Sequence, residues 1–273
     1  MKNDLVDFTS EDRYLVKNLY DEGYSISEIA QITHLSFYEV IFLLRRMFDS
    51  LPLDKLVPYV HIDDSTILIL SDTHLGSIYE NLDYIRDTYR FAKENGIHTV
   101  LHGGDLIQST IRNVKDEYQD EVVQLEHVKR DYPFDSSINT YILLGNHDYN
   151  TFKKSDYYMD ILKEREDMHF MGVKRAYVSW QEHLVSICHT TKKYHLSIPS
   201  IDNILNLKGH SHKLSYNRVK SINIPTLSDD LSLHKNAKAG FLIGKKSTHS
   251  LEIDSYYFDD TLHTEGTILK KKI

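Results

Sequence analysis

Acids, imidazoles and one carboxamide recur in this chain at the ends of short apolar runs. ILIL (67–70) is followed by SDTH, which offers Asp72 and His74. TVLH is followed by GGD, with Asp105; YILL by GNHD, with Asn146, His147 and Asp148; LVSIC by His189; and LNLK by GHSH, with His210 and His212. Carboxylate, imidazole and carboxamide oxygen together suit borderline divalent cations such as Mn²⁺, Fe²⁺ or Zn²⁺, and no thiolate is needed. A bridging carboxylate can hold two such ions about 3.5–4 Å apart, the spacing of two-metal hydrolytic sites. Each cluster alone has a plainer reading: Asp72 as a helix cap, GNHD as a turn, either histidine of GHSH as a hydrogen-bonded surface residue. Five such clusters, each after an apolar run, favour a shared site.

The elements that must position these residues alternate in type. Apolar runs predict strands at Thr66–Leu70, Thr99–Leu101, Tyr141–Leu144, Leu184–Cys188 and Leu205–Lys208. Helical spacing predicts helices at Asn81–Asn95, Asp116–Arg130 and Ser155–Arg165. Such alternation indicates an α/β domain, whose ligands gather beyond the carboxyl ends of the strands. Gly103, Gly104, Gly145 and Gly209 stand where the chain must turn off a strand. Past Lys213, strand-like runs follow at Arg218–Ile224, Ala239–Ile243 and Ser250–Phe258. The amino-terminal fifty residues are of another kind. EDRYLVKNLYDEG has helical spacing, with Tyr14, Leu15, Leu19 and Tyr20 on its apolar face. Ser25 or Ser27 can cap a second helix with Ile29 and Ala30 inward. Ser36, with Glu39 three residues on, can cap a third. Residues 1–50 therefore resemble a helix-turn-helix module, and Leu51-Pro52 and Val57-Pro58 mark a linker over 51–62.

The 273 residues carry a net charge of −8, one cysteine (Cys188) and 16 histidines. The lone cysteine excludes an internal disulfide and fits a reducing compartment. No apolar run approaches the ~20 residues of a membrane span, and the acidic start does not read as a secretory signal. The expected location is the cytoplasm, with no membrane contact. An acidic chain has no general pull toward nucleic acid and needs local basic patches or bridging metal ions to bind it.

In sequence the chain resembles the calcineurin-like metallophosphoesterase superfamily, whose pattern is D-x-H, G-D, G-N-H-D/E, a lone H and G-H-x-H. Here it stands as DTH at 72–74, GD at 104–105, GNHD at 145–148, His189 and GHSH at 209–212. The resemblance spans about residues 64–260. It implies an α/β fold, a layered β-sandwich flanked by helices over residues 63–273, behind the small all-α domain. It also implies a binuclear site. Asp72, His74 and His212 would hold one metal; Asn146, His189 and His210 the other; Asp105 would bridge them. His147 would act as general acid and Asp148 would orient it. The implied cofactors are two divalent ions, manganese first, with iron, zinc, nickel or magnesium as alternatives. The implied reaction is attack on a phosphoester by metal-activated hydroxide, with His147 assisting the leaving oxygen.

Departures from the family narrow the substrate. Serine/threonine phosphatases of this superfamily carry GDxxDRG; here the stretch is GGDLIQST, with Gln108 in place of the acid. That argues against a phosphoprotein phosphatase, and SDTHLGS with HGGDLIQ reads more like DNA-repair nucleases and small bacterial phosphodiesterases. The expected partner is nucleic acid, DNA before RNA. Candidate contacts are Ser36, Tyr38, Arg45 and Arg46 of the third helix, and Lys153, Lys154, Lys192 and Lys193 on loops expected to rim the site. Against DNA binding by the helical unit, residues 1–60 hold ten acids and six bases; a protein-contact or dimerisation bundle is the alternative. Two other functions remain open: a phosphatase or phosphodiesterase of small nucleotides, and a DNA-binding regulator with a non-catalytic phosphoesterase fold.

Overall fold

A computed structural model of the chain describes residues 9–22, 24, 26–35, 40, 43–44, 60–110, 120–155, 157–162, 164–173, 175–181, 183–189, 203–217, 221–229 and 238–272. Ser25, Ser36, Tyr38, Glu39, Arg45, Arg46, Lys192 and Lys193 lie outside the described residues.

Among the described residues the first two helices are α1 (Ser10–Asp21) and α2 (Ile26–Thr33). Thr9 caps α1 reciprocally: Asp12 N donates to Thr9 Oγ1 at 3.0 Å, and Thr9 N donates to Asp12 Oδ2 at 2.9 Å. The face that α1 buries is Val16, Leu19 and Tyr20. Tyr14 and Leu15, expected on that face, are exposed, because the i, i+3, i+4 stripe through Val16 turns them outward. Helix α2 lies against strand β5 (Met168–Val173).

The described strands form two sheets. The first contains β1 (Val60–Ile62), β6 (Arg175–Trp180), β7 (His183–Cys188), β8 (Asn203–Lys208), β10 (Ser221–Asn223) and β9 (Ser215–Tyr216), in that spatial order. The second runs β13 (Thr261–Lys272), β12 (Ser250–Asp259), β11 (Gly240–Ser247), β2 (Thr66–Leu70), β3 (Thr99–His102), β4 (Asn139–Leu144) and β5. Strands β2, β3, β4 and β5 are parallel, as are β7 and β8. Ile67 to Leu70 are wholly buried, as a strand covered on both faces must be. Burial of four such side chains contributes about 1.5–3 kcal/mol each.

Helices α3 (Leu82–Glu94), α4 (Glu121–Asp131), α5 (Asn146–Phe152) and α6 (Tyr157–Leu162) complete the described elements. Asn81 caps α3 by accepting from Tyr84 N, and Asp120 caps α4 by accepting from Val122 N. Helix α4 thus starts at Glu121, later than the sequence pattern indicates, because Asp120 is the cap. Arg165 is buried beneath α4, donating to Asp167 and to the carbonyls of Val128, Tyr132 and Pro133. Among the described residues no helix is long and apolar enough to cross a membrane.

Candidate metal centre

The parallel strands deliver their polar ends to one place. The loops after β2 and β3 run side by side: Asp72 N donates to Gly104 O (2.9 Å), His74 N to Asp105 O (3.1 Å) and Leu75 N to Leu106 O (2.9 Å). Thr226 Oγ1 holds the Asp72 carbonyl at 2.7 Å, and His210 N donates to the Asp72 carboxylate at 3.0 Å, which draws in the loop after β8. The loop after β4 joins through His147 N, which donates to Asp105 Oδ1 at 2.9 Å. The residue after β7, His189, donates from Nδ1 to Gly103 O at 2.8 Å and so turns Nε2 to the interior.

Six side chains converge there. His74 Nε2 and His212 Nε2 are 3.1 Å apart, and they lie 3.8 and 3.4 Å from Asp72 Oδ1. His189 Nε2 lies 2.8 Å from Asp105 Oδ2 and 3.8 Å from Asp72 Oδ1. Asp105 Oδ2 is also 3.9 Å from His74 Nε2. Three three-donor groups result, Asp72–His74–His212, Asp105–His189–His210 and His74–Asp105–His147, the donor atoms of each within 4.8 Å of one another. Donors about 2.0–2.2 Å from a shared ion are spaced on this scale. The donor set fits a cation on a second ground. His189 Nε2 is buried and, although 2.8 Å from the Asp105 carboxylate, lacks a well-formed hydrogen bond, a costly state for a polar atom that a bound cation there would relieve. Asn146 opens α5, half-buried, next to Gly145.

The backbone is bent to make this cluster. Asp72, His74, Asp105, His210 and His212 all have φ between 47° and 74°, a region costly for residues with a Cβ. Strain of that kind persists only where surrounding bonds over-determine it, as the loop-to-loop bonds here do. Close approach is the second requirement. A Cβ on Gly145 would lie 2.1 Å from Asp105 Oδ1 and 2.5 Å from Asp105 N, and neither can retreat without moving the cluster. Gly145→Ala is expected to cost about 1–3 kcal/mol in urea unfolding and to lower bound Mn²⁺. Wild-type stability and metal content in that variant would show the approach to be unnecessary.

Electrostatics follow from burial and charge. Burial pushes the Asp72 and Asp105 carboxyls up, but His189 beside both, with His212 beside Asp72, outweighs it and holds each below the usual carboxylate range. Burial lowers His189, yet Asp105 and Asp72 prevail and raise it to about 10. Burial takes His74 down to about 3 and also lowers His210.

His147 stands at the rim, with Nε2 4.0 Å from Asp105 Oδ2 and its ring edge-on to His74 at 4.8 Å. Its Nδ1 meets the carbonyl of Gln108 at 2.5 Å, not Asp148. Asp148, which the resemblance casts as the group orienting His147, accepts instead from Ile107 N at 3.0 Å and Gly145 N at 2.9 Å. Consecutive helical residues point about 100° apart, so the carboxylate turns inward while the imidazole faces the cluster. Burial, with Asp105 nearby, raises the Asp148 carboxyl to about 6.

Other supports were not apparent from sequence. Ser71 Oγ donates to Asp72 Oδ2 at 2.5 Å. His102, wholly buried, accepts from Gly104 N at 3.1 Å and so directs Nε2 to Thr73 Oγ1, also at 3.1 Å. Both sit beside recognised motifs, and adjacency was the available signal. Of the expected nucleic-acid contacts, Lys154 is drawn into a pair with the buried Glu121, and Lys153 lies over the Tyr149 ring at 5.8 Å. The Lys154 ammonium is thus answered within the fold.

The profile of the family described as calcineurin-like phosphoesterase matches residues 65–264. The chain belongs to that family, which places it among hydrolases that act on phosphate esters. No curated protein matches it in sequence. Among solved structures it is similar to the Escherichia coli phosphoesterase YfcE, at 16% identity over 76% of this chain and 99% of that one, with a TM-score of 0.46. Wild-type Vps29 of Entamoeba histolytica complexed with zinc is similar at 14% identity over 76% and 98%, with a TM-score of 0.45. Nuclease MPE of Pseudomonas putida is similar at 13% identity over 72% and 86%, with a TM-score of 0.39.

Proposed function

We propose that the chain hydrolyses phosphodiester bonds of nucleic acid, DNA before RNA, with two divalent cations, manganese first. The observation that carries the reading is the pair of neighbouring donor groups, Asp72–His74–His212 and Asp105–His189–His210, with Asp105 Oδ2 3.9 Å from His74 Nε2 and His147 at their edge. Asp72, His74 and His212 would hold one ion, Asn146, His189 and His210 the second, and Asp105 would contribute to both. When bound, the two cations neutralise phosphate charge and make water nucleophilic at neutral pH.

The chain's own residues do the rest. The Gln108 carbonyl takes His147 Nδ1–H, so Nε2 is the nitrogen that holds and gives the proton for the leaving oxygen. Asp148 ties Gly145 to Ile107 and so fixes the loop that carries Gln108. Absence of the GDxxDRG acid, with Gln108 in its place, favours a diester over a phosphoprotein.

The test is a substrate panel with Mn²⁺ and metal analysis: labelled single- and double-stranded DNA, RNA, bis-p-nitrophenyl phosphate and p-nitrophenyl phosphate. Turnover of strands and diester, with two metals per chain, is expected. Turnover confined to the monoester would remove this reading.

A further inference from the structure

A cavity of about 240 Å³ opens beside the candidate centre, walled by Lys213, Tyr216, Lys238, Tyr256, Tyr257 and Glu265 among others. Its position follows from chain and register. Lys213 directly follows His212, and Thr226 N donates to His212 O at 3.3 Å. Strand β11 pairs antiparallel with β2, Leu242 opposite Ile69, and Gly240 lies opposite Tyr257 on β12. Tyr257 is therefore level with the loop that carries Asp72, about two strand spacings of ~4.8 Å to one side.

The wall has a distinct chemistry. Lys93, Lys129, Lys154, Lys245 and Lys270 are each paired with a carboxylate. Among the described residues Lys213 and Lys238, like Lys153, Lys208, Lys271 and Lys272, have no such partner, and these two line one cavity. Lys238 Nζ instead lies 3.7 Å from the centroid of the Tyr257 ring, which also stacks on His263. That contact fixes a cation at the mouth without neutralising it. Glu265, the acid of the wall, accepts from Ser255 Oγ at 3.5 Å. Tyr256 is stacked on Phe241, whereas Tyr216 is 49% exposed and makes no ring contact among the described residues. Two ammonium groups without a direct ion pair, one carboxylate and one open aromatic face thus border a cavity smaller than a drug-sized pocket.

We propose that this cavity is a subsite for one nucleotide of a single strand, adjoining the phosphate that is cleaved. Its phosphate lies between Lys213 and Lys238, and its base stacks on Tyr216. A base held in a duplex stack cannot offer its face in this way, so the subsite selects unpaired nucleic acid. The inference rests on the nucleic-acid reading above and adds the strand form and the residues that grip it.

The test measures binding apart from turnover. Fluorescence anisotropy of a labelled oligothymidylate is recorded in EDTA, with an abasic strand of equal length for comparison. Tyr216→Ala is expected to raise Kd about tenfold and to remove the preference over the abasic strand. Lys213→Gln with Lys238→Gln is expected to reduce the slope of log K against log salt by about 1.4, two single-strand phosphate contacts. All three side chains are exposed, so thermal midpoints should match the parent and a folding defect is separable. Unchanged Kd and salt slope in the lysine variant, equal affinity for the abasic strand, or no binding by the parent would overturn the proposal. Binding through these residues without hydrolysis of any diester would keep the subsite and sink the hydrolytic reading. Hydrolysis with binding indifferent to all three residues would do the reverse.

Discussion

Asp105→Asn is expected to empty both metal positions and to lower kcat/KM by about three orders of magnitude or more. The side chain is buried, and Oδ2 lies 2.8 Å from His189 Nε2 of its own donor group and 3.9 Å from His74 Nε2 of the neighbouring one. Asparagine keeps the shape and one oxygen, which can still accept from His147 N, but removes the negative charge. Loss of one preorganised electrostatic partner typically costs 10²–10³-fold. Loss of a shared ligand should exceed the 10–100-fold of an outer supporting residue. Metal content by mass spectrometry should fall from two ions per chain toward none. A second readout is independent of catalysis. Mn²⁺ at a hundred times its Kd stabilises a binding-competent protein by about 2.7 kcal/mol, so the thermal midpoint of the parent should rise with Mn²⁺ and that of the variant should not. Two ions retained per variant chain would contradict the placement of Asp105 between them.

The legibility of this centre in the sequence has a physical basis. Strand β2 is covered on both faces, so TILIL reads as an unbroken apolar run, and its end is visible as the first polar residue. Strand β3 is buried throughout in the same way, which is why Asp72 and Asp105 stand out; β8 alternates, with Leu205 and Leu207 buried and Asn206 and Lys208 half-buried, so His210 is marked by the GHSH motif instead. GNHD was legible as chemistry but not as structure: it opens α5, because Asp148 accepts from Gly145 N and caps the turn. Strand β13 was not legible. It lies at a sheet edge, pairs with β12 through its backbone, and has Leu269 as its one buried residue, so TLHTEGTILKKK shows no alternation. Strand β1 falls within the expected linker for a similar reason, three residues being too few for a pattern. The partner of His147 was beyond sequence altogether. A backbone carbonyl, Gln108 O, fills the role, and carbonyls have no residue signature. Left-handed φ at five aspartates and histidines was equally hidden, since glycine is the residue that ordinarily advertises it.

His147→Ala separates proton transfer from metal binding, and its expected result is a loss of 10²–10⁴-fold in kcat with both ions retained. The imidazole is half-buried at the rim, where Nε2 is 4.0 Å from Asp105 Oδ2, farther than His189 Nε2. Its Nδ1 is engaged by Gln108 O, so the ring keeps its orientation before substrate arrives; Asp148 and the His147 backbone N–H hold the loops, and truncation leaves both in place. Leaving-group chemistry gives the sharper reading. A nucleotide diester expels an alkoxide, which needs a proton as the bond breaks. Bis-p-nitrophenyl phosphate expels nitrophenolate, a far weaker base that departs without one. The variant should therefore lose much more of its rate on oligonucleotide than on the nitrophenyl diester. Equal losses on both would assign His147 to charge stabilisation of the phosphate instead of proton donation. A fall in metal content alongside activity would move it into the donor set, where the group formed by His74, Asp105 and His147 would then have to hold an ion.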